Sequence, residues 1–398
     1  MRAESIPVVC RNLLRLVLGA GLVASPGIQA QTFNVVHSFG GSDGATALAG
    51  PTIDKKGVLY GTTSAGGSSG AGVVYKVDQG VYTVLYNFVG GTDGASPESS
   101  LVLDRDGHLY GTTYAGGASG AGTVFKVTKS GKETVLYTFS GATDGGAPIA
   151  RLALDKAGDL YGTTTAGGAD GNGAVFKLVH PKQKGGPWKE KVLYSFGSGD
   201  GTVPVAGVTL DAKGNVYGTN STGGSYGYGT VFELSHSASG WTESILYQFQ
   251  MQSDGGTPYG GLTFDSKGNI YGTATQGGDG AGGGGTVFEL TPANGGWTFN
   301  VLYGLAGWGI SGTFRDLLLD ASGNIYATTH CDGDNSDGTV YELSPSGNGW
   351  TPNILYQFTG QSDGLYVFSN LAMDKAGNLY GTNSEGGAGL GVIFEVTP

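Results

Sequence analysis

The sequence predicts an all-β fold, a seven-bladed β-propeller with four antiparallel strands per blade, and three observations predict it. A tyrosine in the pattern Leu/Val/Ile-Tyr-Gly/Ala-Thr recurs seven times, at Tyr60, Tyr110, Tyr161, Tyr217, Tyr271, Tyr326 and Tyr380. Each recurrence is embedded in the same four strand-like runs, which we letter a to d. At the chain ends those runs are out of phase, with a lone d run first and a lone c run last. Repeats of such length signal solenoids or propellers, and the phase decides between them.

The repeat is regular, with tyrosine spacings of 50, 51, 56, 54, 55 and 54 residues. An aspartate lies six residues before every tyrosine, from Asp54 to Asp374. A second aspartate lies eleven residues earlier still in six copies, as Asp43, Asp93, Asp144, Asp200, Asp254 and Asp363, and Gly309 stands there in the sixth copy. The second copy shows the pattern clearly. Strand a is expected over 101–104, b over 109–113, c over 123–127 and d over 133–139. An Asp-x-x-Gly turn joins a to b, and a glycine-rich loop joins b to c. Strands b and c are apolar on both faces, as sheets stacked between two other sheets must be. The first d strand, 33–39, is expected to pair with the last c strand, 392–396, and so close the ring without open sheet edges.

Composition agrees. Glycine numbers 78 of 398 residues, yet 39% of the chain is hydrophobic and 11% aromatic, which separates it from disordered glycine-rich chains. The ninefold period of calcium-binding β-helices is missing, and no helical period supports a phosphate-binding glycine loop.

Residues 1–30 read as a signal peptide, with Arg2, Arg11 and Arg15 ahead of an apolar run from Leu16 to Ala24 and a small residue, Ala30, before the expected cut. The run is too short for a free-standing membrane span, and no later segment resembles one. Residues 31–398 are then one propeller carrying eighteen cations against thirty-one carboxylates. This acidity argues against nucleic acid and anionic membranes as partners. Cys331 is the one cysteine in that span, so no disulfide is expected within it.

The repeat resembles the Gloeo/Verruco tandem repeat of the choice-of-anchor tandem repeat GloVer-containing proteins. The resemblance rests on Leu109-Tyr110-Gly111-Thr112-Thr113, Gly116-Gly117, Gly120 to Lys126 and Leu136-Tyr137-Thr138-Phe139, which recur in all seven copies. It implies an extracellular or periplasmic bacterial protein and transfers no catalytic residue. Members often carry a C-terminal sorting anchor, and none is expected after Thr397-Pro398. The Asp374–Tyr380 pattern is also similar to NHL-like propellers, a likeness of fold alone.

Residues repeated in every blade are expected to serve the fold. Residues that break the pattern are the candidates for function. The start of strand a, at the channel mouth, offers Glu98, Arg151, Tyr259, Phe314, Arg315 and Phe368. The b–c loops add Tyr114, Tyr226 and Tyr228, and Trp308 enters the sixth d–a loop. Aromatic rings with two arginines and a carboxylate suit a sugar or a peptide. In the sixth b–c loop, Asp332, Asp334 and Asp337 offer the oxygen ligands of a calcium site; no other cofactor is expected. Trp188, Trp241, Trp297 and Trp350 recur before strand d and read as rim packing.

The function expected is a monomeric, secreted, non-enzymatic module that binds glycan or protein through its glycine-rich loop face. The alternative is a secreted propeller enzyme, a polysaccharide lyase or glycosidase-like hydrolase. Glu98 paired with a channel aspartate would then supply the carboxylates that hydrolysis needs.

Overall fold

The computed structural model describes residues 31–183, 185–279, 283–305, 315–347 and 349–398, and these form seven four-stranded antiparallel sheets. In six sheets the strands run a, b, c, d in chain order. In the seventh, strand Thr32–Ser38 pairs with Val392–Thr397, followed by Leu379–Asn383 and Ala372–Met373. The first strand of the chain thus completes the last blade, with Thr32 opposite Thr397 and Phe33 opposite Val396.

Strands b and c of the second copy span Leu109–Thr113 and Thr123–Val127, as expected, and strand d spans Glu133–Thr138. Strand a is shorter than expected, only Val102–Leu103. The reason is the aspartate that follows. Asp104 Oδ1 accepts the backbone N–H groups of Asp106 and His108 at 2.9 and 2.8 Å, which bends the chain out of the ladder. The same pair of bonds recurs in every blade, for example at Asp211 and Asp374. The earlier aspartate also works on its own loop. Asp254 accepts from Gln250 N at 2.8 Å and from the Tyr247 hydroxyl at 3.0 Å, and Asp363 does the same with Thr359 and Tyr356. Both repeated aspartates are therefore turn-forming residues.

The core lies between blades. Seven apolar clusters occupy the seven junctions. Strand b is fully buried in nearly every blade, because a neighbouring sheet covers each of its faces. Phenylalanines at the end of strand d meet the strand c ring of the next blade edge to face, as Phe88 meets Phe125 at 5.0 Å and Phe196 meets Phe232 at 5.0 Å. Such pairs add to plain burial. The tryptophans pack at these junctions too. Trp188 lies edge-on to Tyr110 of the preceding blade at 6.1 Å, and Trp297 to Tyr217 at 6.3 Å.

On the outer rim three blades lay a strand d ring on a ring of the preceding blade. Tyr82 stacks on His37 at 3.8 Å, Phe299 on Tyr247 at 3.7 Å and Phe33 on Tyr356 at 3.9 Å. Blades two, three and four place Glu133, Glu190 and Glu243 there instead. Each has a buried Oε1 without a hydrogen-bond partner. Burial, and then repulsion from Asp93, Asp144 and Asp200, pushes each carboxyl up to about 7. A carboxyl raised on folding holds its proton more tightly in the native state, so its contribution is complete below the unfolded value and is lost as pH rises through 7. Stability is expected to fall between about pH 4.5 and pH 7, by roughly 1 kcal/mol per glutamate after allowance for solvent screening. His330 acts oppositely. Burial holds its imidazole down to about 4, so its contribution is lost as pH falls below its unfolded value. Urea midpoints at pH 5 and pH 8 for the parent and for the combined Glu133→Gln, Glu190→Gln, Glu243→Gln variant separate the two. The parent's glutamate-driven loss should vanish in the variant, and an unchanged pH slope would refute the assignment.

Candidate channel mouth and loop face

The d–a and b–c loops share one face of the disc, and a hidden regularity ties them together. Thr46, Ser96, Ala147, Val203, Thr257 and Tyr366 occupy the same repeat position, and all have φ between 51° and 57°. Left-handed backbone costs a residue with a Cβ about 1–2 kcal/mol. Here it is over-determined by hydrogen bonds to two blades. The Val203 N–H donates to Asn172 O of the preceding blade at 3.0 Å, and Val203 O accepts from Ser221 N of its own blade at 3.2 Å. Thr257 and Tyr366 repeat both bonds. Residue type varies too much at this position for sequence to reveal it; Gly312, the seventh copy, falls outside the described residues.

Strand a begins at the channel wall. Ser99, Ser100, Arg151, Tyr259, Arg315, Asp316 and Asn370 surround a cavity of about 20 Å³, the room of one water molecule. The closure has two causes. Adjacent strand starts approach until a Cβ on Gly207 would lie 2.5 Å from Arg151 O. Arg315 then spans the gap, its Nε donating to Phe368 O at 2.9 Å and its Nη2 to Leu48 O at 3.2 Å. Arg315 therefore ties blade six to blades seven and one.

The candidates at the mouth fall into two groups. Arg315, Glu98, Tyr259 and Phe368 come together. Burial raises the Glu98 carboxyl, with Arg315 opposing, and burial also raises Tyr259. Ser100 donates to Asn370 Oδ1 at 2.7 Å, and Asp316 Oδ1 accepts from Gly261 N at 2.7 Å, so much of the wall is already saturated. Arg151 is different: it is exposed and forms no ion pair with a described residue. Trp308 and Phe314 lie outside the described residues. Tyr226 and Tyr228 stand on the fourth b–c loop, 54% and 40% exposed, and are the exposed aromatic side chains among the described residues' large hydrophobics.

In the sixth b–c loop, Asp332 Oδ1 accepts from Gly333 N at 2.9 Å, and burial raises its carboxyl. Asp334 Oδ2 is approached by Gln357 Nε2 at 3.4 Å. Among the described residues the acid and imidazole donors that converge within 4.8 Å are Asp104, Asp106 and His108, in an a–b turn. His330 packs against Phe368 at 4.0 Å and Tyr366 at 5.0 Å, where most blades have serine or threonine.

Charge is divided between the faces. The b–c and d–a loops hold fourteen carboxylates and two cations, Arg151 and Arg315, while the rest of residues 31–398 holds seventeen carboxylates and sixteen cations. Nearly all the net negative charge therefore lies on the loop face. Among the described residues no helix is long and apolar enough to cross a membrane.

Solved structures share the architecture. A candidate 6-phosphogluconolactonase of Bacteroides uniformis superposes with a TM-score of 0.50 at 16% identity, over 81% of this chain and 88% of the other. A puromycin-hydrolyzing peptidase of Mycobacterium tuberculosis gives 0.54 at 11% identity, over 87% of this chain and 51% of the other. Identities this low speak for the fold alone. No curated protein matches the sequence. The profile of the Gloeobacter/Verrucomicrobia repeat matches residues 17–223 and 207–398. With seven blades built on that repeat and the match running through all of them, the chain belongs to the Gloeobacter/Verrucomicrobia repeat family.

Proposed function

We propose that this propeller is a secreted binding module that takes a neutral glycan on its loop face, without catalysis. The observation that carries the reading is the contrast between the small cavity among the described strand starts, with room for one water, and the exposed rings of Tyr226 and Tyr228 on a loop of the same face, where Tyr228 O accepts from Thr257 N at 2.7 Å. The cavity between the described strand starts has no room for a sugar ring, whereas exposed tyrosine rings offer faces on which one can stack. The acidic loop face disfavours uronate-rich or sulfated chains and tolerates neutral ones. Arg151 and Glu98 at the mouth supply polar contacts.

A glycan array, followed by titration calorimetry with the best neutral hit, tests this. The Tyr226→Ala, Tyr228→Ala double variant should lose at least about tenfold in affinity, the equivalent of 1.4 kcal/mol. No glycan bound by the parent, a protein partner captured in its place, or a double variant that binds as the parent does would each overturn the reading.

A further inference from the structure

A groove of about 270 Å³ opens on the turn side of the rim, at the junction of the last blade with the first. Leu59 and Val77 of blade one and Val36 and Tyr380 of blade seven line it, and Asn34 and Glu395 lie at its polar end. The Tyr380 hydroxyl donates to Glu395 Oε1 at 2.7 Å. Four other junctions have the same walls but are filled. Trp297 packs with Tyr217, Ile270 and Leu290, the repeat equivalents of Tyr380, Leu59 and Val77, and the Tyr217 hydroxyl donates to Glu233 as Tyr380 does to Glu395. Trp188, Trp241 and Trp350 fill the corresponding sites in their own junctions.

The tryptophan position is eight residues before the phenylalanine or leucine that ends strand d. In blade one, eight before Phe88, it is Gly80. Nothing lies within 4 Å of where a Cβ on Gly80 would project. At the next junction the equivalent Gly131 is closed off, since a Cβ there would lie 2.5 Å from Leu85 O. We propose that the groove between blades seven and one is a binding site for a tryptophan side chain of a partner polypeptide. The occupant's chemistry is set by the sister grooves, which this same chain fills with indole rings. Its source follows from how they are filled, by a tryptophan presented on a Gly-Trp-Thr hairpin strand, as in Gly240-Trp241-Thr242 and Gly296-Trp297-Thr298. The site is independent of the loop face, and its failure would leave the glycan reading untouched.

Equilibrium dialysis of the full chain with N-acetyltryptophanamide tests it, with N-acetylleucinamide as the apolar control. The parent should bind one equivalent of the tryptophan probe, and the leucine probe at least tenfold more weakly. Replacing Asp78–Val81 with Ser235–Thr242 grafts the fourth blade's hairpin onto the first and should abolish binding. Trp297→Gly opens a sister groove and should bind a second equivalent; Trp241→Gly serves the same purpose if the first does not fold. A graft that still binds, or a parent that does not bind the tryptophan probe, overturns the site. An acetylated Gly-Trp-Thr tripeptide should bind at least as tightly as free indole. Binding of indole with exclusion of the tripeptide would overturn the polypeptide source.

Discussion

Removing residues 31–39 is expected to abolish cooperative unfolding. Those residues supply strand d of the seventh blade and half of the seal between last blade and first. Phe33 stacks on Tyr356 at 3.9 Å and meets Phe358 edge-on at 5.8 Å. Phe39 is fully buried in the junction with blade one. Each phenylalanine lost from a packed core costs about 3–5 kcal/mol, and a domain has only about 5–15 kcal/mol in total. The truncation would also bare strand Val392–Thr397, whose residues are mostly buried, as an apolar edge open to aggregation. Urea unfolding followed by tryptophan fluorescence, with sedimentation velocity to detect aggregates, checks this. A synthetic peptide of residues 31–39 added in excess should restore the transition. A truncated chain with the parent's midpoint would show that closure is not what holds the ring.

The second large effect concerns the glycine of strand b, which six blades share. Gly218 lies opposite Phe232, and a Cβ there would sit 2.6 Å from the ring. Gly218→Ala is therefore expected to cost about 1–3 kcal/mol by overpacking. Phe232→Ala should cost about 3–5 kcal/mol, because the ring is fully buried between blades three and four. The informative variant is the double. Without the ring, the new methyl group has space to fill, so Gly218→Ala should be neutral or stabilising in the Phe232→Ala background. The two changes should thus depart from additivity by the whole overpacking cost. Blade six is a natural control: there Ala327 lies opposite Tyr341, so that neighbourhood has already adjusted to a Cβ, and Ala327→Gly should not repeat the pattern in reverse. Denaturant midpoints of the single and double variants decide it, and simple additivity would refute the packing account.

Much of this architecture is legible in the sequence because it is repeated. The tyrosine period, the Asp-x-x-Gly turns and the orphan first strand each report a local constraint that seven copies amplify. Strands b and c are bounded to the residue in the second copy, because glycine loops and turns bracket them closely. Strand a is not, since Asp104, the last residue expected in it, is already drawing the chain into a turn. The site is less legible, for a physical reason. Arg315 breaks the repeat pattern and so stands out as a ligand-binding candidate, yet what it binds is two carbonyls of its own ring. Its partners, Leu48 and Phe368, are 267 and 53 residues away, and backbone oxygens have no residue signature. The groove beside Gly80 is harder still to read, because it consists of a side chain that is missing.

The pairing of Thr32 with Thr397 has a topological consequence. The two ends of the propeller meet within one rung of a β-ladder, so the backbone is effectively a circle with a single nick. The position of that nick, between a c strand and a d strand, is equivalent by repeat symmetry to six other hairpins. A short linker from residue 398 to residue 31, with a new opening at the Ser237–Gly240 hairpin, gives a circular permutant with the same order of contacts around the ring. The order of blades around the ring then sets the fold, whichever c–d connection is left open.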